Sequence, residues 1–214
     1  MASATARQTM RYREDAREEI RKYFNCTAED SVIFCGAGAT AAIDRFIGIM
    51  CRSRIFATDA SPKGLRRAVL IVDPAAHHSS LLPFRELASN YPLIRPASTG
   101  QIHAKVIMNH PLLALVPFLM CFKGNESADF EVELETLPLC PVKGTASVEG
   151  LEKALKKVMD YNRHHHNSAI PVVVLSACSN ICGARLDIPT VSTLIHEYNG
   201  VVAWDLAAIA AHDK

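Results

Sequence analysis

Two short runs, Ala68–Asp73 and Ile170–Leu175, are apolar at successive rather than alternate positions. A strand with that pattern is stable only when both of its faces are covered, which is the condition inside a parallel sheet packed between helices. Amphipathic segments alternate with these runs. Ala39–Met50 has Ile43, Phe46, Ile47 and Met50 at helical spacing, and Val148–Tyr161 turns Leu151, Leu155 and Val158 inward. Arg13–Phe24, Ser79–Ala88 and Pro189–Tyr198 read as further helices. Ser31–Cys35, Phe130–Thr136 and Val201–Trp204 read as further strands. The expected class is α/β, a mostly parallel sheet with helices on both faces.

Composition supports a folded core: 49% of the 214 residues are hydrophobic and 21% charged. A net charge of +1 provides no electrostatic footprint for nucleic acid or an anionic membrane. The seven cysteines include no C-x-x-C pair, which argues against a zinc ribbon or disulfide scaffold. Cys35, within the Val32–Cys35 run, is read as a buried free thiol, and a reducing compartment fits. The apolar stretch Pro111–Phe122 is too short to span a bilayer and holds two prolines. Met1–Arg13 has no apolar core of a secretory signal. The expected location is cytoplasmic, with a mitochondrial one as the alternative. Residues 1–12 are expected to be a flexible N-terminus and 13–214 a domain, within which 91–146 departs from the strand–helix rhythm.

Ligands of such sheets bind outside the carboxyl ends of the strands. Gly36-Ala-Gly-Ala-Thr-Ala41 follows the first apolar run. It fits the dinucleotide pattern G-x-G-x-x-A, with Asp59 near the position of a ribose-binding acid. It also suits a turn whose free backbone N–H groups, Thr40 hydroxyl and helix dipole hold a phosphate, or an ordinary tight strand-to-helix turn. His77-His78 follows the next strand, and Ser179-Asn180 with Gly183 follows the Ile170 run. Adjacent histidines cannot easily face one ion and lack a nearby carboxylate, so no metal site is assigned. Asp205 closes the last strand, where an acid needs a cationic partner. His164–His166 reads as a solvated connection.

Taken together, these loops resemble the class V aminotransferase and cysteine desulfurase enzymes of pyridoxal-phosphate fold type I. His77-His-Ser-Ser-Leu-Leu-Pro-Phe-Arg-Glu-Leu87 is similar to the family's E-H-H-S-N-L-L-P-W-R-E-L after its first residue. Ser176–Gly183 is similar to S-x-x-S-N-x-x-G, and Gly38–Ile43 to G-x-T-x-x-I. The resemblance implies part of the large domain that binds pyridoxal 5'-phosphate. It implies that the Ala39 backbone and Thr40 hold the phosphate and that His77 lies on the pyridine ring. Asn180 would bond the phenolic oxygen, and Asp205 would pair with the ring nitrogen. His77 and Asp205 are the catalytic candidates. An amino-acid substrate and a homodimeric parent enzyme are also implied.

The departures are specific. Ala76 stands where the motif has Glu, Ser80 where it has Asn, and Ala208 where desulfurases have Gln. The last favours the broader aminotransferase-like subgroup. The lysine that holds the cofactor covalently is expected roughly two dozen residues past the aspartate. Lys214 follows Asp205 by only nine (214 − 205 = 9) and lacks the S-x-H-K context. The expectation is therefore a fragment of such an enzyme, inactive alone. A non-catalytic remnant acting as a binding protein and a Rossmann domain are the alternatives.

Overall fold

The computed structural model describes residues 3–52, 66–90, 130–164 and 169–212. Asp59, Pro111–Phe122, His165, His166 and Lys214 lie outside these described residues. In chain order the elements are α1 (Ala4–Tyr23), α2 (Gly38–Arg52), β1 (Arg66–Val72), α3 (His78–Asn90), β2 (Phe130–Thr136), α4 (Val148–His164), β3 (Ala169–Ser176), α5 (Ile188–Glu197) and β4 (Val201–Asp205).

The four strands form one sheet in the order β2-β1-β3-β4, and every pairing is parallel. The expected class is the one observed. Alternation along the two central strands divides the core in two. Leu70 and Val72 of β1, with Val172 and Val174 of β3, face Ile47 of α2 and Phe84 and Leu87 of α3. Val69 and Ile71, with Val173 and Leu175, face Leu151 and Leu155 of α4 and Ile195 of α5. Each large side chain buried this way contributes about 1.5–3 kcal/mol. With helices on both faces, central strands can be apolar throughout.

From β1 the chain moves outward to β2, returns past β1 to β3, and continues in that direction to β4. The direction reverses between β1 and β3, so loops leaving these two strands diverge at their carboxyl ends. Asp73, 3% exposed, sits at that divergence. Its Oδ1 accepts the Ala75 N–H at 2.9 Å and its Oδ2 the Ser176 N–H at 3.2 Å.

Three expectations are corrected. Ser31–Cys35 is not a strand: it is irregular, and Ile33 and Phe34 are exposed. The segment lies against α1, where Arg17 Nε donates to the Val32 carbonyl at 3.2 Å. The guanidinium also stands 5.2 Å from the centre of the Phe34 ring. Cys35 is in consequence half-buried rather than buried. The first helix also begins earlier than read, at Ala4, capped by Ser3, whose hydroxyl accepts the Ala6 N–H.

Candidate functional site

α2 starts from a glycine turn that no other residue type fits well. Gly36 and Gly38 have φ of +31° and +67°. A Cβ on Gly36 would lie 2.6 Å from the Ala41 Cβ, whereas one on Gly38 would meet open space. The turn leaves the first N–H groups of α2 without helical partners, as at every helix start. Ala39, in that first turn, is half-buried and Thr40 exposed.

Beneath this helix start lies a cavity of about 370 Å³. Its wall is mainly apolar, from Ile43 and Phe46 of α2, Phe84 of α3 and Val174 of β3. Ala39, Ser80 and Asp205 also line it. Asp205 is placed by the end of β4, where it pairs with Ser176 of β3 and its backbone carbonyl takes the Ala177 N–H at 3.0 Å. Its Oδ1 accepts the Ala207 N–H at 3.0 Å, and its Oδ2 accepts the hydroxyl of Ser80. A carboxylate offers about four lone-pair sites. Two protein donors therefore leave acceptor capacity on a group that lines the cavity.

His77 immediately precedes α3 and acts as its cap. Its carbonyl accepts the N–H groups of Ser80 and Leu81 at 2.8 and 3.0 Å. The ring Nδ1 accepts the Ser79 N–H at 3.2 Å and lies 2.8 Å from the Ser79 hydroxyl. The ring itself is exposed.

Asn180 lies in a turn after β3. Gly183 donates to the Ser179 carbonyl at 3.0 Å, and the Ser179 hydroxyl accepts the N–H groups of Ile181 and Cys182, both at 3.3 Å. The local geometry is thus that of a hydroxyl-stabilised turn, with Asn180 exposed at its tip. In the same turn the Cys182 thiol is held below its ordinary range, by the Ser179 hydroxyl first and the Ala184 backbone second.

Of the five residues picked out from sequence, Ala39 and Asp205 share one cavity. Thr40 follows Ala39 in the chain, and His77 is three residues from Ser80, but Thr40, His77 and Asn180 are outside the cavity lining. Because the strands are parallel, the segments after β1 and β3 and the end of β4 open on the same edge of the sheet. Two polar residues escaped the sequence reading. Ser80 registered there only as a departure from a motif, and Asp73 only as the end of a strand. An acid closing an apolar strand, the signal used for Asp205, was present at Asp73 too.

Among known structures, the cysteine desulfurase CsdA of Escherichia coli superposes with a TM-score of 0.55 at 16% identity. The match covers 99% of this chain and 38% of that one. CSAD of mouse matches at a TM-score of 0.47 and 13% identity, over 92% of this chain and 32% of that one. A sphingosine-1-phosphate lyase of Burkholderia pseudomallei matches at 0.45 and 15%, over 81% and 26%. The fold is shared with the desulfurase. This chain spans 38% of that enzyme's length. No family model and no curated protein matches the sequence. Among the described residues no helix is long and apolar enough to cross a membrane.

Proposed function

We propose that the chain is part of the cofactor-binding domain of a pyridoxal-phosphate enzyme acting on an amino acid, within the class V aminotransferase and desulfurase group. The observation that carries this reading is the cavity in which the start of α2 and the Asp205 carboxylate meet. The residues present fit the cofactor. A helix start with free N–H groups suits a phosphate. A carboxylate with spare acceptor capacity suits a protonated ring nitrogen, and about 370 Å³ is within the range of small-ligand pockets.

In this reading Ala39 and Thr40 would hold the phosphate, His77 and Asn180 would serve the ring from the neighbouring loops, and Asp205 would pair with the ring nitrogen. The cofactor supplies the electron sink that makes bonds at an amino acid's α-carbon labile. Asp205 keeps the ring nitrogen charged, since a nearby carboxylate favours the protonated form. The Ser79 N–H engages the His77 Nδ1 and so orients the imidazole at the head of α3. Ala208, standing where desulfurases have Gln, favours the aminotransferase-like side of the group. The coverage of the desulfurase supports a longer parent protein, and we place the covalent lysine, the substrate groups and a homodimeric arrangement there.

The test uses pyridoxine 5'-phosphate, which lacks the aldehyde and so forms no adducts with surface lysines. Calorimetric titration is expected to give saturable one-site binding, with pyridoxine binding at least about tenfold more weakly for want of the phosphate. Equal affinity for the two, or no saturation at millimolar ligand, would sink the reading.

A further inference from the structure

Ser80 is 1% exposed, in the first turn of α3, and 125 residues from the carboxylate it bonds. We infer that Ser80 is the positioning residue for Asp205, its hydroxyl proton fixing the plane in which the carboxylate presents itself to the cavity. The inference rests on the cofactor reading above and adds a residue to it.

A carboxylate at a strand end can rotate about its Cα–Cβ and Cβ–Cγ bonds. Here each oxygen is tied separately. Oδ1 is held by the Ala207 N–H at 3.0 Å, a local bond two residues along the chain, and Oδ2 by Ser80. The first bond alone leaves the group free to pivot about Oδ1; the second, from another element, removes that freedom. Ser80 can act as an anchor because it is itself immobilised. Its N–H donates to the His77 carbonyl at 2.8 Å, and its side chain is enclosed. A hydroxyl has one proton, and in this arrangement it is committed to Asp205. The same turn ends at His77, so the Ser80 bond couples the positions of the imidazole loop and the carboxylate. It also draws charge toward Oδ2, leaving the remaining lone pairs directed by the protein rather than by solvent.

The test has two parts, both using Ser80→Ala, which removes the hydroxyl without adding bulk. In ligand-free protein labelled with ¹³C at the aspartate carboxyls, the Asp205 signal is identified by its loss in Asp205→Asn. At pH 7 it should move in Ser80→Ala while the signal of Asp187, the cap of α5, stays. An unmoved Asp205 signal overturns the inference. In titrations with pyridoxine 5'-phosphate, Ser80→Ala should weaken binding about fivefold to tenfold in the native background. In Asp205→Asn the same change should cost less than about twofold, because a residue acting through a partner is non-additive with it. Equal losses in both backgrounds also overturn the inference, since they denote a general structural role. If native protein fails to bind the ligand, or Asp205→Asn binds it as tightly, the cofactor reading falls instead. The carboxyl signal then still decides whether Ser80 holds Asp205.

Discussion

The carboxylate of Asp73, immediately after β1, reaches across to the backbone N–H of Ser176, the last residue of β3, at 3.2 Å. It accepts the Ala75 N–H as well, and its own N–H donates to the Val174 carbonyl at 3.0 Å. One side chain thus replaces the ladder where the two central strands diverge, and it anchors the starts of the loops that carry His77 and Asn180.

Asp73→Asn tests that role. The amide has one acceptor oxygen where the carboxylate has two, so one of the two N–H groups loses its partner. An unsatisfied buried donor costs about 1–3 kcal/mol. Urea unfolding should show a loss of that size with an unchanged slope. A change inside about 0.5 kcal/mol would mean that water substitutes for the carboxylate.

The glycine turn before α2 separates two effects of substitution. Gly38→Ala meets open space and pays only for its backbone, φ +67°, on the order of 1 kcal/mol. Gly36→Ala also drives a Cβ to 2.6 Å from the Ala41 Cβ, so the helix start must shift. Gly36→Ala should therefore destabilise more, and it should weaken pyridoxine 5'-phosphate binding more than Gly38→Ala does. The reverse order in both measurements would contradict the packing at Ala41.

Most of the scaffold was legible because its signals are local. The Val172–Val174 run announces a doubly covered strand, and the Leu151, Leu155 and Val158 spacing announces α4. Phe130–Thr136 alternates, as suits its place as β2 at one edge of the sheet. Ser31–Cys35 misled for the same reason. A short apolar run gives the appearance of a strand, but a strand exists only with a partner, and the Arg17 contacts that hold this run are not periodic. The site was legible as residue types, not as bonds. Ser80 and Asp73 find their partners 125 and 103 residues away, and no local pattern encodes such pairings.

Asp205→Ala should separate binding from folding. The group is only half-buried and both of its protein bonds are single donations, so the thermal midpoint should fall by a few degrees at most. Affinity for pyridoxine 5'-phosphate should fall by about tenfold or more, because a charged partner to the ring nitrogen is removed. Parallel losses of stability and affinity would place Asp205 among structural residues.

Cys182 should be the fastest of the five described free cysteines to alkylate. It is exposed, and donation from Ser179 and the Ala184 backbone favours its thiolate. At pH 7.5 iodoacetamide labelling, read by peptide mass spectrometry, should mark Cys182 ahead of Cys26, Cys35, Cys140 and Cys178. Ser179→Ala should slow it. An unchanged rate in that variant would show that exposure alone sets the reactivity.

The cap of α5 gives the fold a defined acid response. Asp187 accepts the Thr190 N–H at 3.1 Å and the Thr190 hydroxyl at 2.9 Å, and these bonds hold its carboxyl below the ordinary 3.8, the backbone bond foremost. A group lowered on folding binds its proton more readily in the unfolded chain. Its stabilisation is therefore complete only above about pH 5, well clear of the ordinary 3.8, and is lost progressively as the pH falls through 3.8 and then the lower folded value. Asp187→Asn keeps a capping oxygen but has no charge to titrate. Near pH 7 the native protein should unfold at the higher temperature, and the gap between the two should narrow as the pH falls from 5 toward 3. A gap that stayed constant over that interval would show that the charge on Asp187, as distinct from its capping oxygen, has no part in stabilising the start of α5.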